Sequence, residues 1–334
     1  VPFNRPLIIV LLLVALALLM VRRYTGDEAE SVRRSRLIMG TVVEIAAFGR
    51  PEAELDRAVD AAFAEMSRIE DLMSPRRPAS DVARLSEAAG PVAVAPETAE
   101  VIALGLEVAR RSGGAFDLTL GRLKSLWGIE TEEPRVPTPQ EIRRALEGTG
   151  PGALQLEGRR VTKGGPGLAV DLGGIAKGYA VDRAVRVLRV AGIESASVNA
   201  GGDIQLLGTR PDGRPWRIGI QHPRDPDKIL ATVSLDEGAV VTSGDYERYF
   251  TAGGVRYHHL FDPHTGYPGT LSRSVTVVAP NAALADALAT AAFVLGPEAG
   301  LELLAGYPGV EGLIVGADGK PVLSDGLRGM VSWP

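Results

Sequence analysis

The sequence contains no cysteine. That excludes disulfides, thiolate metal centres, cysteine nucleophiles and lipid attachment at a lipobox cysteine. It does not fix a compartment, because a chain without cysteine fits any. Histidine is scarce as well. There are four, and three of them (His258, His259 and His264) fall within seven positions, with His222 apart. Positive charge is not gathered into a basic block outside the N-terminal region, and the net charge is −5, so no nucleic-acid partner is expected. Three common signatures are missing: the G-x-x-x-x-G-K-S/T phosphate loop, the G-x-G-x-x-G dinucleotide turn and the G-x-S-x-G nucleophile elbow. No internal repeat is present. What remains is a chain of 334 residues, 45% hydrophobic, able to bury one large core or two moderate ones.

Residues Leu7 to Val21 form an uninterrupted apolar run between Arg5 and Arg22-Arg23. The run is shorter than the ~20 residues of a spanning helix. It suits a signal-peptide core or an uncleaved signal anchor, and the lack of a clear small-x-small cleavage site favours the anchor. Residues 1–30 are accordingly read as an anchor or signal segment with a linker, and 31–334 as the working body. Arg22, Arg23, Arg33, Arg34 and Arg36 follow the run, which by the positive-inside rule favours a cytoplasmic body.

A polar linker of about a dozen residues is expected before Met39-Gly40-Thr41, which opens a strand over Val42 to Ala47. Pro51 starts a helix carrying Leu55, Val59, Ala62, Phe63, Met66, Ile69 and Met73 on one face. Pro96 starts another, ending at Gly113-Gly114. Residues 130–139 read as a surface loop. Short strands dominate 153–172 and 194–279. Asn281 and Gly296-Pro297 frame a further helix. Helices interspersed with runs of consecutive strands predict an α+β fold with a largely antiparallel sheet packed with helices.

The most informative stretch is Asp171-Leu172-Gly173-Gly174-Ile175-Ala176-Lys177-Gly178. Leu168, Ala169 and Val170 read as a buried strand that delivers an acid, two glycines and a lysine to the start of an amphipathic helix. Glycines at such a turn let backbone N–H groups approach an anion, and the helix N-terminus adds partial positive charge. Lys177 stands where its ammonium can reach a phosphate. A plain tight turn with a solvated lysine explains these residues equally well.

The helix over 282–295 is apolar all round and should be buried. Within it, Asp286 and Thr290 share one face at i and i+4. A buried carboxylate is costly unless paired or metal-bound. A carboxylate and a hydroxyl supply hard oxygens suited to Mg²⁺. The alternative is Asp286 paired with an arginine and Thr290 bonded back to a carbonyl. Three turn-rich segments complete the inventory: Asn199 to Asp203, Thr242 to Tyr246, and His258 to Gly266. A histidine there is a candidate general base near neutral pH.

Taken together, these segments resemble the FAD:protein FMN transferase (ApbE) family. The matching pieces are Met39-Gly40-Thr41, Ala115-Phe116-Asp117, Asp171 to Gly178, Asn199 to Ile204, Ser243 to Glu247, His259 to Pro268 and Ala285 to Thr290. They occur in the family's order and span about residues 35–330. The resemblance implies an ApbE/T-fold-like architecture and transfer of the FMN half of FAD, through a phosphoester, to a threonine of an acceptor flavoprotein, with release of AMP. The acceptor threonine lies in a motif similar to Asp-Gly-x-Ser-Gly-Ala-Thr. By the same resemblance Asp171, Lys177 and the glycine turn hold FAD, and Met39, Ala115, Phe116, Asp117 and Leu260 match flavin-nucleotide contacts. Asp286, Thr290 and the Gly174 carbonyl would hold Mg²⁺. His259 is the candidate base, with Asp245 a weaker option. The family works outside the cytoplasmic membrane, which implies an anchored, extracytoplasmic body in opposition to the arginine count.

Two positions depart from the family pattern. Ala289 stands where some members carry a second aspartate before the metal threonine, and Arg76 where an aromatic residue often stacks on the cofactor. An FAD pyrophosphatase, with water replacing the threonine, and a non-catalytic membrane-anchored flavin-binding protein are the competing functions.

Overall fold

The computed structural model describes residues 30–165 and 167–334. The Leu7–Val21 run, and with it the expected anchor or signal, lies outside them. Among the described residues no helix is long and apolar enough to cross a membrane.

The chain begins with a hairpin, β1 (Ser31–Ile38) and β2 (Thr41–Phe48), and a long helix, α1 (Glu52–Met73). Then come α2 (Asp81–Glu87), β3 (Val92–Ala93), α3 (Pro96–Arg111), α4 (Gly121–Trp127), α5 (Pro139–Leu146), β4 (Leu154–Glu157) and β5 (Arg160–Lys163). Helix α6 (Ala176–Val190) precedes the strand-rich part: β6 (Ser195–Ala200), β7 (Asp203–Leu207), β8 (Trp216–His222), β9 (Asp225–Leu235), β10 (Gly238–Gly244), β11 (Tyr249–Ala252), β12 (Val255–His258) and β13 (Ser272–Ala279). The chain closes with α7 (Ala282–Leu295), α8 (Pro297–Ala305), β14 (Glu311–Gly316), β15 (Pro321–Leu323) and β16 (Val331–Ser332).

Eight strands form one sheet in the order β1-β2-β6-β7-β10-β13-β14-β15. Every neighbouring pair is antiparallel. Side chains alternate across it as the pleat requires. Ala239, Val241, Val275, Val277 and Ile314 join the core beneath the helices. Val240, Val278, Leu313 and Val315 point the other way, into a smaller core shared with β8 and β9. The fold is thus α+β, a largely antiparallel sheet packed with helices. The face of α1 picked out by spacing is buried from Leu55 to Met73.

Two expectations fail locally. Residues 31–38 are a strand, not part of a linker. They read as polar because β1 is an edge strand whose Arg33, Arg34 and Arg36 pair with Glu44, Asp56 and Asp60. Charge on an edge also discourages pairing with other chains. Leu168 to Val170, expected as a strand, make only one isolated bridge, Ala169 to Leu120. Leu168 and Val170 are buried, so their apolar character serves packing alone.

Helices α6 and α7 are fixed to each other at the start of α7. The Asn281 side chain accepts from the Leu284 N–H at 3.0 Å. Asp182 of α6 accepts from the Ala282 and Ala283 N–H groups at 2.7 and 2.9 Å. A Cβ at Gly178 would overlap the Ala282 carbonyl, so only glycine permits this crossing. Burial pushes the Asp182 carboxyl up to about 6. Asp182→Ala should cost about 1–2 kcal/mol, the usual loss of a helix cap. A thermal melt should show Tm lower by a few degrees; an unchanged Tm would refute the cap.

Candidate active site

Two tight turns meet at one end of the main sheet. Met39 and Gly40 join β1 to β2 with φ of 54° and 70°, and Gly201 and Gly202 join β6 to β7 with φ of 59° and 98°. Both are two-residue hairpins that need left-handed backbone. Met39 is the only non-glycine with positive φ among the described residues. A Cβ at Gly201 would overlap the Thr41 side chain, so the turns are in contact.

The charged centre lies just behind them. Lys177 Nζ donates to Asp203 Oδ2 at 2.6 Å, and the Asp203 side chain is 1% exposed. Asp286, also buried, accepts from the Gly178 N–H at 3.2 Å. Burial alone would lower the Lys177 ammonium, but the Asp203 and Asp286 carboxylates outweigh it and raise its pKa. One ammonium cannot neutralise two carboxylates. Burial, and then the Asp286 charge, push the Asp203 carboxyl up to about 8. Lys177, read from the sequence as able to reach a phosphate, is here paired with Asp203.

The glycine turn is built as the sequence suggests. Gly173 N–H donates to Asp171 Oδ1 at 2.9 Å, and Lys124 pairs with the same oxygen. A Cβ at Gly174 would lie 3.1 Å from the Phe116 ring and 3.4 Å from Thr290 Oγ1. Gly174 and Thr290 therefore adjoin, and Asp286 lies one helical turn away on α7. Among the described residues Asp286 forms no arginine pair; its neighbouring cation is Lys177. Among the described residues, no three His, Asp or Glu side chains are placed to hold a metal. The residues present instead fit a cation held by one carboxylate, one hydroxyl and one carbonyl, all hard oxygens. Ala289 is fully buried and adds no second carboxylate.

Ala115, Phe116 and Leu260 are buried, and Met39 is half-buried. Asp117 Oδ1 accepts from the Thr119 N–H and hydroxyl at 2.8 and 2.6 Å, while its buried Oδ2 has no partner. Burial pushes this carboxyl up. A buried acceptor oxygen left bare among the described residues is suited to a ligand donor.

His259 Nδ1 lies 3.3 Å from the Arg248 carbonyl oxygen. A carbonyl only accepts, so Nδ1 carries the proton and Nε2 keeps its lone pair. Burial, then the charges of Arg248 and Lys124, push the imidazole down to about 3. It is a neutral base at physiological pH. Arg248 also acts electrostatically on Lys177, which joins the histidine wall to the carboxylate centre. Glu130 bridges Arg248 and Arg76 at 2.5 and 3.1 Å. Arg76, at the position where an aromatic was expected to stack, is thus an ion-pair partner.

His258 and His264 are not candidates. His258 Nε2 donates to the Gly269 carbonyl at 2.9 Å and Nδ1 accepts from the Leu260 N–H at 3.3 Å, so both ring nitrogens are engaged. His264 pairs with Asp262 at the surface. Asp245 is also corrected. Arg224 grips both its oxygens at 2.7 and 2.6 Å, and Arg256 adds a third link at 3.4 Å, leaving no oxygen poised as a base.

Sequence reasoning missed Lys124, Arg248 and the role of Asp203. Lys124 rides on a seven-residue helix too short to announce itself by periodicity. Arg248 stands one residue beyond the Ser243–Glu247 segment, the only signal that could have drawn attention to it.

A sheet backed by helices, with glycine turns and a buried group of charged side chains at one end, defines the class, an α+β fold with its candidate site at the end of the sheet. The chain belongs to the ApbE family, whose model matches residues 39–314. It is 37% identical over 315 residues to the FAD:protein FMN transferase of Treponema pallidum, spanning 88% of this chain and 87% of the relative. It is 37% identical over 305 residues to that of Vibrio cholerae, spanning 86% and 89%. The crystal structure of the ApbE protein from Thermotoga maritima superposes with a TM-score of 0.83 at 37% identity, covering 90% of this chain and 99% of that one. The flavin transferase ApbE of Vibrio cholerae gives 0.81 at 34%, covering 90% and 99%.

Proposed function

We propose that this transferase moves FMN from FAD to a threonine hydroxyl of an acceptor flavoprotein and releases AMP. The observation that carries the reading is the meeting of Gly174, Thr290 and Asp286 beside the Lys177–Asp203 pair, with the bare Nε2 of His259 on the adjoining wall. In the proposed step, the threonine oxygen bonds to the phosphorus of the FMN half. The pyrophosphate P–O bond breaks, AMP leaves with its electron pair, and the threonine proton passes to His259 Nε2. Asp171 and Lys124 hold the glycine turn toward the phosphates. A Mg²⁺ held by Asp286, Thr290 and the Gly174 carbonyl would neutralise charge on the pyrophosphate and improve the leaving group.

The test is intact mass of a threonine-motif acceptor domain after incubation with residues 31–334, FAD and Mg²⁺. A gain of one FMN phosphoester, lost with chelator, supports the reading. Free FMN and AMP without a modified acceptor would instead make the chain a pyrophosphatase.

His259→Gln should lower transfer about 10²–10⁴-fold, the range for a general base, with FAD affinity little changed. Its titration is a separate check. The unfolded chain takes up this proton near the ordinary value of 6.5, whereas the folded protein resists it down to about 3. The stability from the neutral ring is therefore complete above 6.5 and lost as pH falls toward 3. In the free protein the His259 imidazole should still be neutral by NMR at pH 5; a charged ring there would refute the burial argument.

We also propose that residues 7–21 anchor the protein with its body on the extracytoplasmic side of the cytoplasmic membrane. The family resemblance supports this, against the arginines that follow the run. Protease added to spheroplasts should cleave the body; protection would put it in the cytoplasm.

A further inference from the structure

A second groove, of about 490 Å³, opens beside the candidate site and is lined by Arg224, Asp245, Arg256, His258, Ser272 and Arg273. Asp245 is shared between Arg224 and Arg256. Among the described residues Arg273 bonds only the Ala317 carbonyl, at 3.0 and 2.7 Å. With His258 held neutral by burial, three guanidinium charges face one carboxylate. Ser272 is 4% exposed, yet its hydroxyl has no partner among the described residues. A buried hydroxyl without a partner costs free energy unless something enters to bond it.

Two exposed apolar side chains flank the groove: Tyr249, on the hairpin face that carries Thr251, and Leu271, between the lining residues Thr270 and Ser272, are 45% and 53% exposed, and Arg256 stacks on Tyr249 at 4.3 Å. Arginine and tyrosine beside exposed apolar surface are the side chains that protein interfaces favour. One wall is the β11–β12 hairpin, a two-stranded sheet separate from the main one. Its unpaired edges offer backbone groups to an extended polypeptide. The same wall ends at His258, which lines the groove, and His259 follows it directly in the chain.

We infer that this groove docks an acidic segment of the acceptor polypeptide, flanking the residue to be modified. The inference rests on the transferase reading. Two excess positive charges call for carboxylates, and the open, apolar-flanked shape with a free strand edge suits a polypeptide better than a small anion. Ser272 Oγ supplies one further hydrogen bond to the docked chain.

The test uses the acceptor flavoprotein modified by the unmodified chain, and a twin whose Asp and Glu near the modified threonine are changed to Asn and Gln. Arg273→Glu reverses a charge in the groove. Thr251→Glu adds a negative charge on the exposed lip opposite Arg256, at a side chain that makes no hydrogen bond among the described residues. Each variant, and the neutral twin with the unmodified chain, should raise the acceptor KM about tenfold. The FAD KM and the rate at saturating acceptor should hold. An unchanged acceptor KM in both variants overturns the docking site while leaving the transferase reading intact. An equal rise in the FAD KM also overturns it, because the arginines would then serve the flavin. No transfer to any acceptor by the unmodified chain removes the reading beneath it.

Discussion

Asp286→Asn should lower flavin transfer on the order of 10³-fold, the several kcal/mol a catalytic cation contributes, while leaving Tm unchanged or higher. The two effects have one cause. Asp286 is 4% exposed and stands beside Asp203, whose carboxyl it helps push up to about 8. A carboxylate that repels a buried neighbour costs stability, and removing the charge relieves that cost. Asparagine keeps the shape and an oxygen for the Gly178 N–H. A residue whose loss harms turnover but not folding is retained for its chemistry. Single-turnover transfer and a thermal melt, run on the same preparation, decide the matter. Retained turnover would remove Asp286 from the site; a Tm drop of several degrees would show it to be structural.

Lys177→Met should produce the opposite pattern, in which stability falls first. Its ammonium is the cation paired with Asp203 among the described residues, and the Asp203 side chain is 1% exposed. Removing one member of a buried ion pair strands the other, at a cost of about 3–5 kcal/mol. The urea midpoint should fall accordingly at pH 9, where the Asp203 carboxyl, pushed up to about 8, is ionised. Adding Asp203→Asn to the Lys177→Met chain should recover part of the loss, since the stranded charge is then gone. That non-additivity measures the pair itself. A midpoint within error of the unmodified chain would mean that the lysine is dispensable to the fold.

These residues also show what a linear sequence can disclose. Helix α1, the cap at Asn281 and most strands were legible because apolar spacing and turn residues act over a few positions. Strand β1 was not, because an edge strand buries only two of its eight side chains and hides its period behind arginines. The pairing of Asp286 and Thr290 was legible because both sit on one helix, at i and i+4. The Lys177–Asp203 ion pair was not, since its partners are 26 positions apart and meet only when α6 packs on the sheet. The same holds for Lys124 and Asp171, 47 positions apart. Asp245 was misread for the reverse reason. Its arginine partners at 224 and 256 arrive from two other segments, and nothing in the local sequence announces them.

Strand β1 runs from Ser31 to Ile38, and the Met39–Gly40 turn at its far end belongs to the site. Eight extended residues span ~26 Å. Any tether attached ahead of Ser31 therefore grips the body at the end of β1 opposite the Met39–Gly40 turn. The strand acts as a built-in boom: it holds the working end out by its own length, so the reach toward an acceptor is set by a rigid part and only its direction by what precedes it.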